Sequence, residues 1–278
     1  MKVTILGAGR MGSAMALRLL DAGHQVTVWN RERERLVPLA NAGTRTADDV
    51  AAAVAHAPVV ITMVTDGAAA QSVAAQMLPA MDTNAVWVQA STVGAEWADR
   101  LRALADEHGR AMLDAPVSGS TGPARNGTLT WLVAGAQDAV DAARPLLDAL
   151  GQRVLVVGTR QEASRLKLIV NAWMTAATVA MADMLNASDA LGVPREALLN
   201  VLSGGPLGMP YALQKAQAMT TRDYTPGFPV ELALKDIRLI EQAEKHAPPL
   251  VRELDRRLTS AADAGHGHDD LAAVAAVD

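Results

Sequence analysis

Lys167 and Asn171 stand four residues apart within the stretch GTRQEASRLKLIVNAW, residues 158–173. In a helix that spacing stacks them on one face. Their neighbours are mostly apolar: Leu166, Leu168, Ile169, Val170, Ala172 and Trp173. A helix apolar almost all round is usually buried, and Lys and Asn seldom sit inside one without a partner or a task. A lysine held in a partly dry pocket gives up its proton more readily, which suits it to general acid/base work. The plainer reading is a Lys that snorkels to solvent and an Asn that bonds locally. The rest of the chain weighs between the two.

A second group of residues opens the chain. Val3–Leu6 is a short apolar run, followed by Gly7-Ala8-Gly9-Arg10-Met11-Gly12 and a helical pattern from Ser13 to Asp21. Strand, glycine-rich turn and helix, in that order, make the fingerprint of a dinucleotide site. Gly7 allows the tight turn, Gly9 lets the backbone approach a pyrophosphate, and Gly12 lets helix and strand pack closely. The helix N-terminus adds amide donors and the positive end of a dipole. The next strand, Gln25–Trp29, ends in Asn30-Arg31. An acid at that place grips the ribose hydroxyls of NAD and would repel a 2′-phosphate. A neutral amide with Arg31, and with Arg33 and Arg35 behind it, would accept one, so the sequence predicts NADP over NAD. The plainer reading makes RERER a solvated helix start, with Glu32 and Glu34 balancing the arginines.

The elements that must position these residues alternate. Helices over 32–40 and 48–55 lead to a strand at Val59–Val64, and Met63, Val64, Thr65 and Asp66 then form a candidate cofactor rim at its carboxyl end. A helix over 68–80 precedes the strand Val86–Gln89. Ser91 or Thr92 after it is a natural N-cap for the helix over 94–108, which does not exclude Thr92 from touching a nicotinamide. This pattern predicts a doubly wound α/β sheet through about residue 115. After the strand Ala111–Leu113, the Ser-, Gly- and Thr-rich loop 114–123 has the composition of a concave nest of amides that would hold a carboxylate; an ordinary surface loop would look the same. Strands over 128–134 and 153–157 flank a helix over 138–149. Beyond them every pattern is helical. A helix over 163–191, of about 28 residues, far exceeds the ~12 average and suits a bridge between two lobes. Shorter helices follow over 195–202, 211–220, from Phe228-Pro229-Val230 to His246, and over 250–264. The segment Gly265–Asp270 reads as a solvated turn; its two His and two Asp lack the further ligands that a metal site needs, so no metal is expected.

Composition narrows the function classes. Of the 278 residues half are hydrophobic and 3% aromatic, so a sizeable core must be built from Ala, Val, Leu and Met. The net charge of −5 is mixed along the chain, with no basic face for nucleic acid. The absence of cysteine excludes disulfides, thiolate catalysis and zinc–sulfur sites, and fits a reducing compartment. The N-terminus reads as a strand rather than a signal peptide. The longest apolar stretches, such as Ala51–Val64, are interrupted, and none reaches the ~20 residues of a membrane helix. A cytoplasmic protein without membrane or nucleic-acid partners is expected.

Four motifs in order then point to one family. The glycine turn Gly7–Gly12, the segment Asp114-Ala115-Pro116-Val117-Ser118-Gly119-Ser120, the Lys167-to-Asn171 spacing and Lys235-Asp236 resemble those of the β-hydroxyacid dehydrogenases, over nearly the whole chain. The resemblance implies a Rossmann-type N-terminal domain (1–160), then an all-α C-terminal domain (161–278) for substrate and oligomerisation that begins with the interdomain helix, and assembly as a homodimer or homotetramer. It implies Lys167 as general acid/base and Asn171 as its substrate-orienting neighbour. Ser118 and Gly119, with Ser120, would hold the substrate carboxylate. Thr92 and Met63–Thr65 would line the cofactor, Lys235 would reach its nicotinamide side, and Phe228 would stand near the active site. Two departures touch the substrate side: the family usually reads Ser-Gly-Gly where Ser120 stands, and it often has a second Asn where Ala172 stands. An imine reductase on the same fold, which commonly lacks Lys at position 167, and a non-catalytic dinucleotide-binding protein are the alternatives.

Overall fold

The computed structural model of the chain describes residues 1–243 and 247–277, in two compact units, Met1–Lys167 and Leu168–Asp278. The expected end of one helix at His246 lies outside the described residues.

In the first unit β1 (Lys2–Leu6), α1 (Arg10–Asp21), β2 (Gln25–Trp29), α2 (Val37–Asn41), β3 (Arg45–Thr46), α3 (Val50–Val54), β4 (Val59–Thr62), α4 (Gly67–Met77), β5 (Val86–Gln89), α5 (Ala95–Glu107) and β6 (Ala111–Asp114) follow one another. Their strands pair in the order β3-β2-β1-β4-β5-β6, all parallel. The four residues of β4 and the four of β5 are all buried, as expected of strands covered on both faces. Successive side chains feed opposite cores: Ile5 packs with Met15, Leu19 and Trp131, and Leu6 with Val60, Met77 and Trp87. Asp49 and Asp66 cap α3 and α4 by accepting the Ala52 and Ala69 amides.

The sheet continues through β7 (Val117–Ser118), α6 (Thr121–Asn126), β8 (Leu129–Ala134), α7 (Gln137–Leu150) and β9 (Gly151–Gly158). Here β8 runs antiparallel to β6 and β7, and β9 parallel to β8. The loop expected over 114–123 thus contains a short strand and the start of a helix. Val117 and Ser118 find ladder partners in Trp131 and Thr130, and Pro123 falls in the first turn of α6, where its missing N–H costs nothing.

α8 (Glu162–Ala190) starts in the first unit and continues in the second, followed by α9 (Arg195–Ser203), α10 (Pro210–Thr221), α11 (Val230–Ala243) and α12 (Pro249–Ala261). By length and composition α8 could cross a membrane, so the expectation that no segment is long and apolar enough is corrected. Its Val179, Met181, Ala182 and Leu185 are buried in the core of the second unit, which a core helix needs equally.

The expected solvated turn at Gly265–Asp270 is corrected at its end; Gly265 and His268 are exposed, and Asp270 is not. Asp270 is fully buried and pairs with Lys215 Nζ at 2.6 Å. It also accepts the amides of Gly227 (2.8 Å), Phe228 (3.1 Å) and Ala272 (3.0 Å). Burial opposes its charge, but Lys215 and the backbone donors outweigh that and hold the carboxyl below its ordinary range. The chain then turns inward, and Leu271–Val274 are buried in the core. His266 and Asp269 pair with each other (2.8 Å), and His268 with Glu231 (3.0 Å).

Candidate active site

The three glycines of the turn after β1 differ in what holds them. Gly7 has φ +114°, and a Cβ there would lie 2.2 Å from the Met63 carbonyl oxygen. A Cβ on Gly12 would lie 1.9 Å from the Gly7 oxygen. The fold itself requires both. Gly9 has φ −73°, open to any residue, and a Cβ there would meet no protein atom within 4 Å. The space before Gly9 is therefore open, and it lies beside the N-terminus of α1, which no side chain caps. Ala8 and Met11 complete the turn, and Arg10 is exposed on it. A phosphate-bearing group fits such a cradle: it needs close backbone approach and amide donors.

Asn30 ties this turn to the end of β2. Its Oδ1 accepts the Ala8 amide (2.9 Å) and its Nδ2 donates to the Glu32 carbonyl (3.0 Å). Arg35 pairs with Glu32 (2.7 Å), as the solvated reading of RERER has it, whereas Arg33 pairs outside the segment with Asp48 (3.0 Å). Arg31 is exposed and forms no ion pair among the described residues.

Met63, Val64 and Thr65 leave the end of β4, and Thr92 follows β5. Met63 N donates to Leu6 O (2.9 Å), and Thr65 Oγ1 donates to Asp66 (3.1 Å). Neither Ser91 nor Thr92 caps α5. Gly94, at φ +86°, occupies that position, and the Ser91 hydroxyl turns inward to the Val64 amide (2.8 Å). The glycine turn, Asn30, Met63–Thr65 and Thr92 thus gather at the carboxyl ends of β1, β2, β4 and β5. The strand order reverses there, between β1 and β4, where open α/β sheets bind ligands. A 610 Å³ depression lined by His56, Pro58 and Met81–Ala85 lies at the opposite, amino ends of β4 and β5 and holds none of these residues.

In the same unit Ser118 is half-buried on β7, and Gly119 follows at φ +126°, where a Cβ would lie 2.8 Å from Leu129. Ser120 precedes α6 without capping it through its side chain. Asp114, at the end of β6, is fully buried and accepts the Ser164 amide (2.7 Å) and hydroxyl (2.5 Å) at the start of α8. Burial pushes its carboxyl up to about 6, although the Ser164 bonds oppose the shift.

Lys167 and Asn171 lie one turn apart on α8, at 8% and 3% exposure, so Lys167 does not snorkel to open solvent. Within the second unit Asn171 Nδ2 donates to Asp236 Oδ2 on α11 at 2.5 Å. Lys235 Nζ lies 3.0 Å from Asp236 Oδ1, as an ion pair rather than an aligned hydrogen bond. Asp236 is the residue whose part the sequence left unread. It is buried with Val230, Ala233, Leu234 and Ile237, but lies beside their stripe on the helix and not within it, so the apolar pattern did not mark it. The Phe228 backbone is anchored to the end of the chain: its amide donates to Asp270, and its carbonyl accepts the Leu271 amide (2.8 Å). Among the described residues no three His, Asp or Glu side chains converge as metal ligands.

Comparison with known proteins adds to this geometry. A family profile described as the NAD binding domain of 6-phosphogluconate dehydrogenase matches residues 2–158. A second, described as NAD-binding of NADP-dependent 3-hydroxyisobutyrate dehydrogenase, matches residues 162–277. Glyoxylate/succinic semialdehyde reductase 1 of Arabidopsis thaliana is 31% identical, over 99% of this chain and 97% of its own. The structure of a 3-hydroxyisobutyrate dehydrogenase from Mycobacterium tuberculosis, solved with L-serine, superposes with a TM-score of 0.92 at 26% identity, covering 99% of this chain and 98% of that one. An imine reductase from Pseudomonas sp. superposes less closely, with a TM-score of 0.66 at 25% identity over 98% and 97% of the two chains.

Proposed function

The chain belongs to the β-hydroxyacid dehydrogenase family of oxidoreductases, and from that premise we propose that it transfers hydride between NADP(H) and a small β-hydroxy acid or its semialdehyde. The observation that carries this reading is the pair Lys167 and Asn171, buried one turn apart on α8. Bound nicotinamide supplies the hydride in reduction and accepts it in oxidation. Protonated Lys167 Nζ gives its proton to the substrate oxygen in reduction, and the neutral amine takes it back in oxidation. Asn171 orients that oxygen. Ser118, Gly119 and Ser120 hold the substrate carboxylate, and Phe228 and Lys235 complete the substrate side, with Lys235 also toward the nicotinamide.

The choice of NADP rests on Asn30 and on Arg31, the arginine of its cluster that forms no ion pair among the described residues. The glycine turn and the rim residues Met63–Thr65 and Thr92 bind the rest of the dinucleotide. In this reading residues 1–160 bind the nucleotide, and residues 161–278 serve substrate binding and self-association as a homodimer or homotetramer. An exposed apolar stripe on α8, including Ile169, Trp173 and Met184, supports the association.

The test is oxidation of NADPH and NADH, in parallel, with glyoxylate, succinic semialdehyde, methylmalonate semialdehyde, tartronate semialdehyde and one cyclic imine. Turnover of a semialdehyde acid with NADPH is expected. Turnover of the imine alone would replace the proposed chemistry, and equal or tighter binding of NADH would remove the NADP assignment.

A further inference from the structure

The two strand ends that carry the rim are joined by a network of buried polar groups. Trp87 Nε1 donates to Thr62 Oγ1 (2.9 Å), which donates to Gln89 Oε1 (3.2 Å). Gln89 Oε1 also accepts the Ser91 amide, and Gln89 Nε2 donates to the Ser91 carbonyl, both at 2.9 Å. The Ser91 hydroxyl donates to the Thr62 carbonyl (3.4 Å) and accepts the Val64 amide (2.8 Å). Thr62, Trp87, Gln89 and Ser91 are all fully buried. Polar groups this deep are costly unless bonded, and a bonded network fixes one arrangement.

What it fixes is the direction in which the chain leaves β4. Met63 N still donates to Leu6 O, as a strand residue would. The next amide, Val64, is held by a side chain instead, the Ser91 hydroxyl. Met63 and Val64 then wall the glycine turn. A Cβ on Gly7 would lie 2.2 Å from Met63 O and 3.2 Å from Val64 Cγ1. Around the reversal of strand order, the ends of β1 and β2 serve the adenosine half of a dinucleotide, and the ends of β4 and β5 lie on the other half's side.

We propose that Ser91 is a positioning residue for the nicotinamide half of the cofactor, acting through the Val64 amide. The proposal rests on the dinucleotide reading above. It adds that the β4 rim is held by one hydroxyl and is not shaped by the strand ladder alone.

The test compares whole and half ligands on the full chain by calorimetry. Ser91→Ala removes the acceptor of the Val64 amide, and one hydrogen bond of placement corresponds to about tenfold in affinity. NADPH, or NADH if the wild type prefers it, should bind about tenfold more weakly to Ser91→Ala. The adenosine half-ligand (2′,5′-ADP, or AMP in the NADH case) should bind as it does to the wild type. Ser91→Thr keeps the hydroxyl and should restore the dinucleotide affinity. Independently of any variant, the Val64 amide of the wild type should exchange slowly with deuterium. Unchanged dinucleotide affinity in Ser91→Ala, an equal loss of both ligands, or fast Val64 exchange in the wild type would each overturn the assignment. A wild type that binds neither dinucleotide would overturn the functional reading with it, and that shows before any variant is made.

Discussion

Asn171 donates its side-chain amide to Asp236 across 2.5 Å, and both side chains are buried. The bond settles which way the amide faces. One Nδ2 hydrogen is committed to the carboxylate, which leaves the second N–H to offer to an acceptor such as a substrate oxygen, and Oδ1 to a donor. Asp236→Asn removes the charge that holds this orientation. Hydrogen bonds to charged groups contribute about 1.5–3 kcal/mol, so kcat should fall roughly tenfold or more. Steady-state kinetics with the best substrate would read this, and an unchanged kcat would mean that the orientation of Asn171 does not matter to turnover.

Lys167→Ala removes the proposed proton carrier and leaves the glycine turn untouched. Turnover should fall by roughly 10²–10⁴-fold, the usual contribution of one general acid. Nucleotide affinity should stay near that of the wild type. A variant that kept most of its turnover across the substrate panel would assign the proton to another group.

Asp114 should leave a signature in the pH dependence of stability. Its folded value is about 6, against an ordinary 3.8. Between those two pH values the folded state holds more protons on this group than the unfolded state does. Stability from this group is therefore greatest below the lower value and is lost as pH rises through the upper one, by about 3 kcal/mol in all. Asp114→Asn should flatten the stability curve between pH 4 and 6, as read by urea unfolding at a series of pH values.

Lys215 and Asp270 form a buried pair, and removing one partner strands the other. Lys215→Met should cost about 3–5 kcal/mol in urea unfolding, because Asp270 would remain charged among apolar residues. Arg256→Ala breaks an exposed pair with Glu253 and should be nearly silent. Comparable losses in the two variants would show that Asp270 escapes to solvent when Lys215 is gone.

How much of this was legible along the chain depended on distance. The glycine turn, the parallel strands and the long helix α8 could be read because each is fixed by residues within a few positions of one another. The buried runs Val59–Thr62 and Val86–Gln89 leave little choice of element. Asp270 was read as solvated because its neighbours are polar and glycine-rich, whereas its partner Lys215 lies 55 residues away. Asp236 lies 65 residues from Asn171, and no local pattern links them. Ser91 was misread as a cap because Ser before a helix is commonly one. The burial that turned its hydroxyl toward Val64 comes from packing between strands. The elements β3, β7 and α6 were missed because two to six residues are too few to show a period.

The glycine turn offers a test that separates the needs of the fold from those of a ligand. At Gly12 a Cβ would meet the Gly7 oxygen at 1.9 Å, and at Gly7 the left-handed φ of +114° adds strain to a 2.2 Å contact with Met63 O. Alanine at either position should lower the melting temperature and weaken nucleotide binding together. Gly9 differs, since its φ of −73° is ordinary and its Cβ would meet nothing. Alanine there reduces the freedom of the unfolded chain and should leave stability unchanged or raise it by about 0.4–1 kcal/mol. The added methyl would instead occupy the space that a pyrophosphate needs beside the amides of α1, and NADPH affinity should drop by tenfold or more, equivalent to about 1.4 kcal/mol. Thermal melts and nucleotide titrations on Gly9→Ala and Gly12→Ala, side by side, would show the two behaviours. If Gly9→Ala bound NADPH as the wild type does, the cradle would not be where the phosphates lie.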